Sequence, residues 1–370
     1  MKKTRLFTAL GALGVAAALA APASAAESGG YIVSLEDGAA MDPTSHGAED
    51  IRPYTIIDGY YAELSPAEAA RLADDPRVAA VEPDRPIMLE GSGSQPSPPW
   101  NLDRVDQRGP ILDDEYVWDG DGEGVDAYVL DTGVNAVHPT FGGRVAPGAD
   151  FIGDGDGTED CNGHGTAVAG VIAGEEFGVA KAATIVPVRA LDCNGAGTLA
   201  GVIAAVEWIT ENADGPSVAN LSLGGPAGHT ALTEAVQNSI ASGVSYTVAA
   251  GGSNADACGY TPANIPEAIT VSGTDTADRR ASFANWGDCV DLFAPAVGIT
   301  VPWGDGVNTV SGTSFAAPHA AGAVAIYLSC HPEKTAGEVH DWIVDNATAG
   351  AVQNPQGPDR FLYTRVDTCA

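Results

Sequence analysis

Short apolar runs alternate with helical patterns along most of the chain, beginning near residue 127. The apolar runs, read as strands, occupy residues 127–130, 184–188, 218–223, 244–249 and 269–271. Patterns with helical spacing cover residues 198–209, 230–241 and 314–328. Strands that are apolar on both faces and separated by helices predict an α/β fold, with a mostly parallel sheet and helices on both of its faces.

A smaller α+β unit precedes this region. Residues 31–35, 60–64 and 78–81 read as strands. Ser65 and Glu68 form a capping-box pattern around Pro66, which predicts a short helix ending near Asp74. The stretch GSGSQPSPP at 91–99 has the composition of an exposed linker. We therefore predict a small unit at 26–92, including linker, and a large domain at 93–370.

The first 25 residues have the pattern of a secretory signal peptide. A positively charged start precedes an apolar run over residues 6–20, and the small-residue triplet 23–25 fits a cleavage site. A transmembrane anchor is disfavoured because the run is short and Pro22 follows it. We expect a secreted, extracellular protein that does not associate with membranes and that is a monomer.

The charge of the chain disfavours two classes of partner. The formal net charge is −32, and removing the three positive charges of the signal region takes it from −32 to −35. A protein of this charge repels nucleic acid and anionic membrane surfaces. We expect neither as a partner.

Six cysteines in an exported chain are typical of disulfide bonds. Six cysteines permit fifteen pairings, and their spacing does not choose among them. Cys161 lies three residues before His164 in DCNGHGT, which raises the alternative of a metal site. Zinc would need further cysteine or histidine ligands at suitable spacing.

Three stretches together supply an acid, a base and a nucleophile. Asp131 ends the apolar run of YVLDTGV, His164 stands between two glycines at a helix start, and Ser314 lies between a loop and a helix. The carboxyl ends of parallel strands form the functional edge of such a sheet. A helix N-terminus favours negative charge near a serine oxygen. Each residue alone could be a cap or turn residue, but the combination indicates nucleophilic catalysis.

The motifs DTG at 131–133, GHGT at 163–166 and GTSFAAPH at 312–319 resemble those of subtilisin-like serine proteases (subtilases), in particular the proteinase K and aqualysin subgroup. The resemblance runs from Tyr31 to nearly the end of the chain, and VEPD at 81–84 resembles part of the family's inhibitory propeptide. It implies a subtilisin-like peptidase domain preceded by a ferredoxin-like propeptide. The implied activity is that of a secreted serine endopeptidase, made as a precursor that cuts itself near residues 90–94. The implied partners are peptide and protein substrates and the chain's own propeptide as intramolecular inhibitor.

The resemblance also implies a role for individual residues. Ser314 would attack the peptide carbonyl, His164 would take and return the proton, and Asp131 would orient the imidazole. Other segments correspond to the walls of the first specificity pocket and to an edge that pairs with an extended peptide. The walls are Ser222, Leu223, Gly224, Ala249, Ala250 and Gly251, and the edge is Gly195, Ala196 and Gly197.

The cysteine positions resemble those of aqualysin-like proteases and imply the pairs Cys161–Cys193 and Cys258–Cys289. Cys330 then remains for Cys369, and a metal at Cys161 is disfavoured. The family resemblance further implies structural calcium, with no catalytic cofactor. Three candidate calcium sites offer hard oxygen ligands. They are Asp291 with the carbonyls of Pro266 and Ala268; Asp103, Asp106, Gln107 and Asp113; and Asp154, Asp156 and Asp160. The third site could equally be a solvated acidic loop.

One position departs from the family pattern. Relatives carry AAGN, whose asparagine donates to the oxyanion, whereas the matching residue here is Gly252. The Ser314 N–H would remain as a donor, with the Thr313 hydroxyl and Asn254 as further candidates. We expect a real but slow protease, with a catalytically impaired subtilase-fold binding protein as the alternative. A lipase-like α/β hydrolase is disfavoured, because Ser314 lacks the G-x-S-x-G pattern.

Overall fold

The computed structural model describes residues 29–84, apart from 37, 40 and 47, together with residues 91–366 and 369. The predicted signal peptide at 1–25 lies outside the described residues. The chain divides into two compact units, Met1–Ile87 and Met88–Ala370. Within the described part of the chain, no helix is both long and apolar enough to cross a membrane.

The first unit is a four-stranded antiparallel sheet with one α-helix. The strand order is β2-β3-β1-β4, which is the order of a ferredoxin-like sheet, so the predicted α+β architecture is confirmed. A 3₁₀ helix at Pro43–His46 occupies the connection between the first two strands. The elements are β1 Gly29–Leu35, β2 Glu49–Pro53, β3 Gly59–Leu64, α1 Pro66–Ala73 and β4 Val78–Pro83.

Burial alternation and capping explain the local structure of this unit. Every second side chain of β3 is buried, as expected for a strand with one face on a core. Ser65 Oγ accepts from the Glu68 N–H, and the Glu68 carboxylate accepts the Ser65 N–H at 2.8 Å. This is the predicted capping box. Strand β2 escapes sequence prediction because its residues, EDIRP, are mostly charged and include proline.

A nine-stranded sheet forms the centre of the second unit. Its order is β18-β19-β15-β14-β12-β10-β7-β9-β8, and every neighbouring pair is parallel except β18 with β19. The predicted parallel α/β fold is therefore confirmed. Its strands are β7 Asp126–Asp131, β8 Ala149–Asp150, β9 Thr184–Arg189, β10 Ser217–Leu221, β12 Ser245–Ala249, β14 Ile269–Thr274, β15 Leu292–Pro295, β18 Thr348–Ala349 and β19 Arg360–Phe361. Three two-stranded sheets complete the set of strands: β5 Gly93–Pro96 with β6 Glu115–Trp118, β11 Gly225–Pro226 with β13 Tyr260–Thr261, and β16 Val297–Trp303 with β17 Gly306–Ser311.

One long helix, α6, is the central packing element of the second unit. All of its residues from Phe315 to Leu328 are buried, because small side chains dominate its sequence. At Gly322 an added Cβ would lie 2.5 Å from the Val179 Cβ, so only glycine permits this close approach. The helices are α2 Trp100–Val105, α3 His164–Ala173, α4 Leu199–Asn212, α5 Thr230–Ala241, α6 Thr313–Cys330 and α7 Ala336–Asn346.

The stretch predicted as a linker, 91–99, is partly structured. Strand β5 pairs antiparallel with β6 from Gly93 to Pro96. Gln95 adds side-chain contacts, since its amide accepts from Lys181 Nζ at 2.6 Å and donates to the Glu176 carbonyl at 3.1 Å. These contacts all lie within the second unit. The linker prediction is therefore wrong for residues 93–96.

Candidate active site

Asp131 is the last residue of β7, at the carboxyl end of the parallel sheet. Its side chain is fully buried. Oδ1 accepts two hydrogen bonds, from His164 Nδ1 at 2.7 Å and from the Thr132 N–H at 2.8 Å. The other oxygen, Oδ2, is buried without a hydrogen-bond partner. The carboxylate is therefore held in place through one oxygen and kept away from water.

His164 begins α3 and faces the open side of the sheet edge. Gly163, the preceding N-cap residue, has φ = 104°, and an added Cβ would lie 2.5 Å from the Trp303 ring. Glycine is therefore required here both by the backbone and by the close packing. The His164 side chain is 24% exposed, so a substrate can reach it.

The electrostatic surroundings of His164 favour its protonated form. Burial acts to lower the pKa of His164, whereas the charge of Asp131, the hydrogen bond to Asp131 and the charge of Asp160 act to raise it. The raising effects are larger in sum, so the pKa lies above its ordinary value. An imidazole in this setting can take a proton and be stabilised as the cation.

Ser314 is the second residue of α6, where the backbone N–H groups of the helix are free. Its hydroxyl donates to the Ser222 carbonyl at 3.3 Å, and the Ser222 hydroxyl donates to the Ser314 carbonyl at 2.7 Å. The neighbouring Phe315 ring lies 5.4 Å from the His164 ring, centre to centre. Among the described residues no hydrogen bond joins the Ser314 hydroxyl to His164, so the hydroxyl must rotate before the imidazole can take its proton.

Gly252, which the family resemblance places at the position of an oxyanion donor, has open space beside it. No heavy atom lies within 4 Å of where its Cβ would be. Thr313 Oγ1 accepts the Gly251 N–H at 3.2 Å, which leaves its hydroxyl hydrogen available. Asn254, a candidate replacement donor, is directed elsewhere, because its side-chain oxygen accepts from Arg280 at 2.9 Å.

Asn285 supports this loop and was missed in the sequence. Its amide donates to the Ala250 carbonyl at 2.8 Å, and its oxygen accepts the N–H groups of Ser253 and Ala255. It lies 31 residues beyond Asn254 in a stretch without a recognisable motif. No sequence signal could have identified it.

Two cavities flank the catalytic candidates. One, of about 350 Å³, is lined by all three residues of each predicted wall, Ser222–Gly224 and Ala249–Gly251, and also by Gly252 and Ser314. The second, of about 550 Å³, is lined by His164, by Gly195 and Gly197 of the predicted edge segment, and by apolar side chains. Ala196 does not line either cavity. The smaller cavity is also lined by residues that were not predicted, namely Ser253, Tyr260, Thr261, Pro262, Ala263 and Gly312.

One of three disulfides joins two loops beside the larger cavity. Cys161 is bonded to Cys193, which ties the loop before His164 to the loop that leads to Gly195. The other bonds are Cys258–Cys289 and Cys330–Cys369. These are the pairs that the family resemblance implied, and a metal site at Cys161 is excluded because its sulfur is in a disulfide.

At the third predicted calcium site, two of the three carboxylates already have protein partners. Asp154 forms a two-pronged ion pair with the buried Arg189, with N–O distances of 2.6 and 2.7 Å. Asp160 accepts five hydrogen bonds from protein donors. Asp156 is exposed, and within the described residues the three carboxylates do not form a cluster that could hold one ion. An arginine and five other protein donors therefore already satisfy Asp154 and Asp160, which disfavours a calcium ion in this loop.

The second predicted site retains one feature that fits a cation. Asp106 is buried, with Oδ2 accepting the Val117 N–H at 2.6 Å and Oδ1 without a partner. Burial raises the pKa of this carboxyl to about 7. Asp103 lies one helical turn earlier and accepts the N–H groups of Asp113 and Asp114 and the Gln107 amide.

At the first predicted site the Asp291 carboxylate is only partly satisfied by protein donors. Its Oδ2 accepts the Thr270 N–H at 2.7 Å, and its Oδ1 lies 3.8 Å from His340 Nε2. The backbone of Pro266 and Ala268 lies just before Thr270 in the sequence. At 3.8 Å, His340 Nε2 is too distant from Asp291 Oδ1 for a hydrogen bond.

The fold of the second unit matches a known class of protein. A family model described as the subtilase family matches residues 122–361, and one described as peptidase inhibitor I9 matches residues 30–90. The chain belongs to the subtilase family.

Individual relatives support this assignment. The chain is 48% identical over 317 residues to a protein named alkaline serine exoprotease A from Vibrio alginolyticus, covering 84% of this chain and 59% of that protein. It is 47% identical over 324 residues to one named extracellular serine proteinase from Thermus sp. (strain Rt41A), covering 86% of this chain and 78% of that protein. A solved structure described as a cold adapted subtilisin-like serine proteinase is 49% identical, with a TM-score of 0.72, and covers 73% of this chain and 100% of its own. The chain thus spans less than two thirds of the Vibrio protein.

Proposed function

We propose that this protein is a secreted serine endopeptidase that hydrolyses peptide bonds through Ser314, His164 and Asp131. The observation that carries the proposal is the 2.7 Å hydrogen bond from His164 Nδ1 to the fully buried Asp131 carboxylate. It fixes the tautomer of the imidazole, so that Nε2 is free to act as a base. The secreted location is supported by the signal-peptide pattern and by a relative named as extracellular.

The reaction begins when the Ser314 hydroxyl turns from the Ser222 carbonyl towards His164. His164 takes the hydroxyl proton as the oxygen attacks the peptide carbonyl, and Asp131 stabilises the resulting imidazolium. The oxyanion forms at the start of α6, where the Ser314 N–H has no partner within the helix and the helix dipole favours negative charge. His164 then gives its proton to the leaving amine, which departs and leaves an acyl-enzyme. Water attacks the acyl-enzyme with His164 again as the base, and this step releases the acid product and restores the Ser314 hydroxyl.

The smaller cavity holds the substrate side chain next to the bond that is cut. None of its lining residues is charged, so an uncharged side chain enters without an unpaired buried charge. The neighbouring edge of the site can pair with the substrate main chain, which tolerates many sequences. The proposal is therefore an endopeptidase of broad preference that acts on peptides and proteins.

Labelling with a fluorophosphonate probe tests the enzyme against the alternative of an impaired binding protein. After removal of the first unit, we expect the probe to attach to Ser314, as located by mass spectrometry of the digest. The Ser314→Ala variant is the matched control and should not be labelled. An unlabelled wild type that also fails to hydrolyse a chromogenic peptide would favour the binding protein.

Maturation is proposed to be self-cleavage near residues 90–94. The first unit resembles an inhibitory propeptide in sequence and matches the I9 model. A Ser314→Ala precursor, expressed in a host without other proteases, should remain full length while the wild type is cut. Cleavage of the Ser314→Ala precursor at the same bond would rule out self-processing.

Structural calcium is proposed at two of the three predicted positions. At the one near Asp106, a divalent cation would supply the partner that the buried Oδ1 lacks, with Asp103, Gln107 and Asp113 offering further oxygen atoms. At the other, Asp291 would bind the ion together with carbonyl groups of Pro266 and Ala268. The ion would neutralise carboxylate charge and would not take part in the reaction.

A further inference from the structure

Asp160 gathers hydrogen bonds from the segments that carry both Asp131 and His164. Its Oδ1 accepts from Thr132 Oγ1 at 2.8 Å and from the N–H groups of Asn162 and Gly163 at 3.0 and 2.8 Å. Its Oδ2 accepts from the Thr166 N–H at 2.8 Å and from Thr166 Oγ1 at 2.6 Å. Five donors thus converge on one carboxylate just before α3.

Thr132 completes the connection between the two catalytic candidates. Its hydroxyl donates to Asp160 and accepts the Gly165 N–H at 2.9 Å. Its own N–H donates to Asp131 Oδ1. The residue after Asp131 is therefore tied to Asp160, and through its hydroxyl to the residue after His164.

We propose that Asp160 is a positioning residue that holds the β7 end and the α3 start in the geometry required for the Asp131–His164 hydrogen bond. This inference rests on the proposed function. The carboxylate belongs to this network and not to a cation site, because its two oxygens already accept five bonds. An ionised carboxylate makes stronger hydrogen bonds than a neutral acceptor, and its place before the helix N-terminus adds a favourable dipole interaction.

The charge of Asp160 also affects the pKa of His164. The charged groups facing His164 are Asp131 from β7 and Asp160 from the loop before α3, while α6 presents the Phe315 ring. Both carboxylates favour the protonated imidazole. Loss of the Asp160 charge should therefore lower the pKa of His164 and move the acid limb of the kcat/KM profile to lower pH.

The test is Asp160→Asn, which keeps the size of the side chain but removes the charge and replaces one acceptor oxygen with a donor. We expect kcat to fall about tenfold or more with little change in KM, because misplaced catalytic groups lose rate without losing substrate contacts. The acid limb should move to lower pH in the same variant. Asp156→Asn is the matched control, since Asp156 is an exposed residue of the same loop with the same charge.

A second pair of variants guards against a general folding defect. Thr132→Val removes the hydroxyl that donates to Asp160, whereas Thr132→Ser keeps it, so the Val variant should lose rate and the Ser variant should retain most of it. In a Ser314→Ala background, the His164 pKa measured by NMR should fall with Asp160→Asn and not with Asp156→Asn, independently of turnover.

Two outcomes would overturn the role of Asp160. One is a wild-type enzyme that is active and labelled, combined with an Asp160→Asn variant of unchanged kcat and pH profile. The other is an equal loss in the Asp160→Asn and Asp156→Asn variants, which would indicate a general charge effect. A wild type that is neither labelled nor active would instead contradict the proposed function itself.

Discussion

Gly252→Asn should raise the rate of the proposed protease. Gly252 lines the smaller cavity together with Ser314, and nothing lies within 4 Å of where its Cβ would be. Its φ is not in the left-handed region, unlike the 102° of Gly251 next to it. A Cβ can therefore be added at 252 without displacing neighbours or straining the backbone.

The size of the effect follows from what an oxyanion donor contributes. Removing the asparagine donor of subtilisin costs about 2.7–4 kcal/mol, or roughly 10²–10³ in kcat. The present chain keeps the Ser314 N–H and the Thr313 hydroxyl near the site, while Asn254 is held by Arg280. An added donor recovers only part of the loss, so we expect a rise in kcat of about tenfold or more. KM should change little, because the donor acts on charge that develops in the transition state.

The assay is the steady-state hydrolysis of a chromogenic peptide, with active sites titrated by a fluorophosphonate. Gly252→Ala is the control for filled space without a donor, and Gly252→Asp places a group of similar shape that repels the oxyanion. We expect the order Asn above Ala and Ala above Asp in kcat. If the wild type is already fast and Gly252→Asn leaves kcat unchanged, another group fills the oxyanion role and the reasoning about Gly252 fails.

Two further predictions concern stability and are best measured in Ser314→Ala, where self-digestion is absent. Burial lowers the pKa of Lys181 to about 8, whereas the pKa of a lysine in an unfolded chain is about 10.4. Between these two pH values the unfolded chain binds more protons than the folded one, so the free energy of unfolding should rise with pH. The difference in urea midpoint between wild type and Lys181→Met should show this rise, and a difference that is constant from pH 8 to 10.5 would contradict it. Removal of calcium with a chelator should lower the melting temperature by about 5–10 °C for a site held at about 100 times its Kd. Asp106→Asn should weaken this response, and an unchanged melting temperature on chelation would count against both proposed sites.

The core of the fold could be predicted because its signals are local. Runs such as 127–130 and 184–188 are apolar on both faces, and the structure has them as β7 and β9, adjacent strands that each pair with a strand on both sides. The capping box of α1 is likewise contained in four consecutive residues. Short edge elements such as β18 and β19, with two residues each, depend on pairing with distant strands and leave no pattern of their own.

Contacts between residues that are distant in the sequence explain why some predictions were incomplete or wrong. The stretch at 93–96 has the composition of a linker, yet it pairs with β6 and contacts Lys181. Asn254 looks like a free donor in the sequence, because its hydrogen-bond partner Arg280 lies 26 residues away along the chain. Composition reports the local conformational preference of a segment, whereas these outcomes depend on the tertiary contacts that the segment makes in the folded protein.

The acidic loops illustrate how one physical rule separates residues that look alike in sequence. A buried carboxylate needs either a cation or several donors. Asp278 is buried and receives two nitrogens of Arg104, and the half-buried Asp160 receives five donors, so neither requires a metal ion. Asp154 is exposed, and its charge is paired with the two terminal guanidinium nitrogens of Arg189. Asp106 has one backbone donor and an unpartnered buried oxygen. In a chain with 49 acidic and 17 basic residues, arginines cannot reach every buried acid. Calcium is therefore expected where protein donors are missing, near Asp106, and not where aspartates are simply densest, in the loop around Asp156.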